Sequence, residues 1–140
     1  MKIEDVAREC GLTKRAIRYY EEIGILPPPD RSKGGVRQYN ESHIAHLKKI
    51  LNAREVLGFS LQELQQYIAI IDALENHKRH YKQITDHAAR KEKLLEIEHN
   101  LNELLELIEQ KANKISAVRA ELEQLRERAR AAIANIENPS

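Results

Sequence analysis

Scarcity frames this chain of 140 residues: it has one cysteine, one phenylalanine and no tryptophan, and between Ser60 and Asn138 it has neither glycine nor proline. Cys10 alone cannot close an internal disulfide, and without a Cys-x-x-Cys pair there is no zinc ribbon and no dithiol redox centre. The longest apolar run, Tyr67 to Ile71, falls far short of the roughly 20 residues that cross a bilayer, and the N-terminus lacks the pattern of a signal peptide. A cytoplasmic protein with no membrane partner is expected. The formal net charge is only +1, so a polyanionic partner would have to be met by a local patch.

What is present falls into two parts. All five glycines lie at or before Gly58, and three of the four prolines form the run Pro27 to Pro29. The remainder, rich in Leu, Glu, Lys, Gln and Ala, reads as helix. A punctuated head therefore precedes a helical tail. In the head, Ile3, Val6, Ala7 and Cys10 mark one face of a first short helix, ended by Gly11. Cys10 on that face reads as a small buried hydrophobe. Thr13 is placed to cap a second helix whose inner side is Ala16, Ile17, Tyr20 and Ile23, leaving Lys14, Arg15, Arg18 and Tyr19 outward. Two short helices joined by a glycine-containing turn, the second with a cationic outer face, have the form of a helix-turn-helix.

Beyond the prolines, Gly34-Gly35 between polar and Val/Tyr residues predicts a hairpin tip. It carries Arg31, Lys33 and Arg37. Asn40 then opens a third helix with Ile44, Leu47 and Leu51 inward. Ser60-Leu-Gln-Glu63 is a capping box for a fourth, with Leu61, Leu64, Ile68 and Ile71 on one face. These boundaries predict a head over residues 1–75. Residues 76–93, charged and histidine-rich, read as a partly helical connector.

A seven-residue repeat follows over 94–137. Leu94, Leu101, Ile108, Ile115 and Leu122 occupy one seam position and Ile97, Leu104, Val118 and Leu125 the other, with Lys111 as the one polar interruption. At 1.5 Å per residue such a helix would be about 65 Å long. It is too narrowly striped to hide against a small head, and no second stretch of comparable length exists for it to fold back on. Its seam is expected to close against a second copy. His77, His80 and His87 lie near helical spacing in the connector, but nothing fixes a ligand geometry and neither metal nor cofactor is assigned. No phosphate-cradling glycine loop or catalytic constellation can be assembled, which argues against an enzyme.

From Lys14 to Arg37 six cations stand against Glu21, Glu22 and Asp30, concentrated where the second helix and the hairpin would lie together. Such a helix reaches base edges and phosphates in the major groove while a hairpin adds backbone contacts beside it. Three blocks then carry a resemblance: Thr13-Lys-Arg-Ala-Ile-Arg-Tyr-Tyr-Glu-Glu-Ile-Gly-Ile-Leu-Pro27, Gly35-Val-Arg-Gln-Tyr39 and Leu57-Gly-Phe-Ser-Leu-Gln-Glu-Leu64. In order and separation they resemble the DNA-binding domain of MerR-family bacterial transcription regulators over about the first 75 residues.

The resemblance implies a mainly α fold, a winged helix-turn-helix followed by a long antiparallel coiled-coil dimerisation helix. It implies a homodimer on a promoter inverted repeat with an over-long spacer, bending and untwisting that DNA so that RNA polymerase is affected indirectly, with repression or activation as the outcome, and a place on the bacterial nucleoid. It assigns Thr13, Lys14, Arg15, Arg18 and Tyr19 to the recognition helix and Arg37 and Tyr39 to the wing, with Arg31 and Lys33 as further wing contacts. Arg54 is a candidate phosphate contact or, equally, an arginine in an internal pair. The thiolate ligands of metal-sensing relatives are missing, and no residues remain for a separate effector domain, so the effector is unknown. The rival reading is a coiled-coil adaptor or an excisionase-like architectural protein.

Overall fold

The structure, a computed structural model, describes residues 1–139. Its elements in chain order are α1 (Ile3–Cys10), α2 (Lys14–Glu22), β1 (Asp30–Arg31), β2 (Arg37–Gln38), α3 (Glu41–Glu55), α4 (Leu61–Gln83) and α5 (His87–Glu137). The chain divides into two units, Met1–Leu104 and the residues from Leu105 onward.

Local chemistry sets the element ends in the first unit. Gly11 takes the left-handed conformation at φ 68°, letting the chain reverse after α1 at little steric cost. Thr13 Oγ1 accepts the Ala16 N–H at 3.0 Å and so caps α2. Asn40 Oδ1 accepts the Ser42 N–H at 2.9 Å at the start of α3. The expected capping box is present at α4: the Ser60 N–H donates to Glu63 Oε1 at 3.0 Å, and the Glu63 N–H to Ser60 Oγ at 3.2 Å.

The core of this unit lies where α1 packs on α2 and α3, and α3 on α4. Val6, Ile17, Leu26, Leu47 and Ile50 are fully buried at its centre. Each such side chain contributes roughly 1.5–3 kcal/mol relative to exposure. The inward faces of the later helices differ from expectation at their ends: Ile50 is buried where Leu51 was expected and is only half-buried, Leu61 is exposed, and Leu74 joins the core beyond a half-buried Ile71. Cys10 is half-buried, and burial pushes its thiol above the ordinary value.

The connector expected over 76–93 is almost wholly helical. α4 continues to Gln83, α5 begins at His87, and only residues 84–86 link them. Asp86 caps α5 by accepting the Ala89 N–H at 3.0 Å. The start of α5 folds back on the end of α4. Arg90 donates to Tyr81 OH at 2.8 Å and lies 4.6 Å over its ring centroid, while His77 Nδ1 lies 2.9 Å from Glu96 Oε2 and 3.1 Å from Lys93 Nζ.

This fold-back corrects the single seam expected for α5. Within the first unit Leu104 and Asn100 are buried and Ile97 is half-buried, whereas Leu94 and Leu101 stand out at 47% and 45% exposure. The two seam positions therefore part company here, because α4 runs past residue 75 and supplies a surface that the heptad pattern alone does not reveal. In the second unit Ile108, Ile115, Val118, Leu122, Leu125, Ile133 and Ile136 are all exposed.

Candidate nucleic-acid interface

The recognition surface begins with α2. Ile17 and Tyr20 anchor it in the core, which leaves Lys14, Arg15, Arg18 and Tyr19 exposed on the opposite side. Among the described residues neither Arg15 nor Arg18 forms a hydrogen bond or ion pair. Lys14 Nζ lies 3.1 Å from Glu4 Oε1. The Glu4 carboxyl is held below its ordinary value first by its own backbone N–H and then by Lys14. Both partners of this pair are about half exposed, so it contributes little and a phosphate competes readily for the lysine. Thr13, expected among the DNA contacts, has its hydroxyl engaged in capping α2.

The wing lies beside this helix. β1 and β2 pair antiparallel with Asp30 opposite Gln38 and Arg31 opposite Arg37. Gly35 at φ 79° makes the tip possible. Arg31 donates to the Gly35 carbonyl at 2.9 Å, which keeps its guanidinium at the hairpin and braces the tip. Lys33 is exposed at the tip, beside a Val36 that stands half in solvent, an apolar wing-tip residue that the charge count missed.

Tyr39 is the clear correction to the expected contact set. Its side chain is only 3% exposed, its hydroxyl donates to Glu21 Oε2 at 2.7 Å, and its ring meets His43 edge-on at 5.3 Å between centroids. Burial first, and Glu21 second, push its phenol well above the ordinary range. The same Glu21 has its other oxygen 3.5 Å from Arg37 Nε. Met1 and Tyr39 also exchange backbone hydrogen bonds, 2.8 Å each way. Tyr39 thus fastens the wing to α2 and to the start of the chain; it does not present itself to a ligand. Glu21, whose carboxylate is nearly buried, was counted in the sequence only as a negative charge. Its role depends on the hairpin folding back, a pairing that no local spacing signals.

Lys2, Arg18, Arg31 and Arg37 converge on an open crevice of about 340 Å³ between α1, α2 and the wing. Glu4 also lines it, so cations outnumber carboxylates four to one around a concavity of the kind that can receive a phosphodiester. Arg54, at the end of α3, donates from Nη1 to Tyr20 OH at 3.1 Å and is otherwise exposed. Of the connector histidines, His77 is engaged by Glu96 and Lys93, while His80 and His87 are exposed. Among the described residues no group of three or more His, Cys, Asp or Glu side chains is arranged to hold a metal. Nor is any helix among them long and apolar enough to cross a membrane.

A capped helix-turn-helix, a two-stranded wing braced against it and exposed cations on the outer face of α2 define a winged helix-turn-helix DNA-binding protein. Comparison with known proteins carries this further. The profile of the MerR HTH family regulatory proteins matches residues 1–69. The chain is 46% identical over 137 residues to the HTH-type transcriptional regulator YfmP of Bacillus subtilis, covering 98% of each. It is 38% identical over 110 residues to the regulator CueR of Salmonella typhi, covering 79% of this chain and 75% of that one. A crystal structure of a MerR-family regulator from Listeria monocytogenes shares the fold at a TM-score of 0.54, with 20% identity, over 99% of this chain and 87% of that one. The chain belongs to the MerR family and is a DNA-binding transcription regulator.

Proposed function

We propose that the chain binds a two-fold symmetric promoter site as a homodimer, one recognition helix per half-site, and controls transcription by distorting the DNA between them. It would act on the cytoplasmic nucleoid and influence RNA polymerase through promoter geometry. The observation that carries this reading is the combination of an exposed cationic α2 face with exposed apolar side chains along α5. A single head offers few base contacts and binds weakly, so useful affinity needs two heads held at a fixed separation. The exposed seam of α5 supplies the means, because apolar residues at heptad spacing left in water favour a partner helix.

Within this reading Lys14, Arg15, Arg18 and Tyr19 face the major groove. Arg31, Lys33 and Arg37 address the flanking backbone, and Arg54 is a further phosphate contact. Selection of binding sites from genomic fragments tests the proposal. Enrichment of an inverted repeat, with a footprint covering both halves and a promoter spacer longer than usual, is expected. Enrichment of no sequence, or of isolated half-sites only, would contradict it.

A further inference from the structure

Between α3 and α4 the head holds a second crevice, of about 410 Å³, closed on its third side by Pro27 in the turn after α2. None of the recognition-helix or wing cations reaches it. His43, His46 and Lys49 line it from α3, and Asp72, Glu75 and Arg79 from one face of α4. A volume of this size admits a small molecule.

The charges on its walls are incompletely matched. Lys49 Nζ and Glu75 Oε1 pair at 3.5 Å. Arg79 bonds only the side-chain oxygen of Asn76, a neutral group, so among the described residues its charge has no counterion. Asp72 has only His46 near it, with Nδ1 3.7 Å from Oδ1. His46 Nε2 must donate, because the Ile25 carbonyl 2.6 Å away can only accept. A singly protonated ring then turns the Nδ1 lone pair toward the Asp72 carboxylate, acceptor facing acceptor. An ammonium about 2.8 Å from each fits between them. His43 shows the converse. Its Nδ1 accepts the Asn40 N–H at 3.1 Å, which places the ring hydrogen on Nε2. That donor has no partner among the described residues, although His43 is only 6% exposed, and a donor left unused at such burial is costly.

One crevice thus offers two facing acceptors for a cation, and an unused N–H with an unmatched guanidinium for an anion. We propose that it binds a small zwitterion of the free amino acid class, the ammonium between Asp72 and His46 and the carboxylate on Arg79 and His43. The two histidines also connect the site to the DNA-reading elements. His46 holds Ile25 in the turn after α2, and the His43 ring lies against Tyr39, which fastens the wing. A ligand held on both rings bears on α2 and the wing together, so its occupancy shifts the affinity for DNA.

The test titrates the full-length chain calorimetrically, without DNA, with each of the common L-amino acids in turn. Any that binds is compared with its decarboxylated amine and its deaminated acid. At least one amino acid is expected to bind, with both truncated analogues about tenfold or more weaker. Asp72→Asn and Arg79→Gln alter exposed side chains and should each weaken that binding to a similar degree, with unchanged circular dichroism. Binding of none of the amino acids would overturn the proposal, and so would an amine or acid alone binding as tightly as its parent. Undiminished affinity in either variant would place the ligand elsewhere and overturn it as well. Anisotropy titration of a duplex carrying the selected promoter site then reads the coupling. Saturating ligand should change affinity about fivefold or more in the parent and not in Asp72→Asn; equal affinity with and without ligand would contradict the link to α2 and the wing. Because the calorimetry needs no DNA, its failure leaves the promoter reading standing, and failure to select a promoter site leaves the crevice testable.

Discussion

The head and the tail use apolar residues in opposite ways. Val6, Ile17, Leu26, Leu47 and Ile50 disappear into a core that the first unit completes by itself, whereas Ile115, Val118, Leu122 and Leu125 remain in solvent on a continuous helix. The difference separates two kinds of stability. The head's free energy of folding is intramolecular, while the tail's side chains contribute only when a second chain arrives, so their effect depends on concentration. Substitutions in the two regions should therefore be told apart by whether their consequences vary with protein concentration.

The largest effect is expected in the head. Leu47→Ala should cost about 2–5 kcal/mol, lowering the denaturation midpoint of the head by the same amount at every protein concentration. Leu101→Glu/Ile108→Glu should leave the helical circular dichroism of the head largely intact while abolishing the dimer and, with it, tight binding to a two-half-site duplex. Gel filtration and a binding titration would show both losses together; loss of one without the other would break the link between self-association and DNA binding.

Next is the wing anchor. Tyr39→Phe removes a hydrogen bond to a nearly buried carboxylate, worth about 1.5–3 kcal/mol. The phenol's value is raised in the folded state, so its contribution is complete below the ordinary phenol value of 10.0 and is lost as pH rises beyond it. Denaturation followed up the alkaline limb should accordingly be flatter in Tyr39→Phe than in the parent. Arg18→Ala should weaken operator binding by about 1–3 kcal/mol without altering the dimer, checked by titration at fixed salt. The smallest change is at the α4 cap: Ser60→Ala should cost about 1 kcal/mol in the head and nothing in self-association.

What the sequence revealed was whatever local rules govern. Thr13, Ser60 with Glu63, Gly11 and Gly35 act through bonds or dihedrals within a few residues, and the outer face of α2 follows from helical period alone. Three features were hidden because each depends on a distant partner. The inward turn of Tyr39 requires Glu21 on another element, and a strand of two residues is too short to display alternation. His46, whose Nε2 lies 2.6 Å from the Ile25 carbonyl, fastens the turn after α2 to α3 without any motif to announce it. The division of the α5 seam follows from the length of α4, which the low apolar content of 76–93 concealed; that stretch is helical through its capping, its Arg90–Tyr81 contact and its ion pairs.

Light scattering on the purified full-length chain at micromolar concentration addresses the central claim most directly. Two heads joined by their tails predict a mass of twice 16.2 kDa that persists when a symmetric duplex is bound. A mass of one chain, free and on DNA alike, would contradict the account.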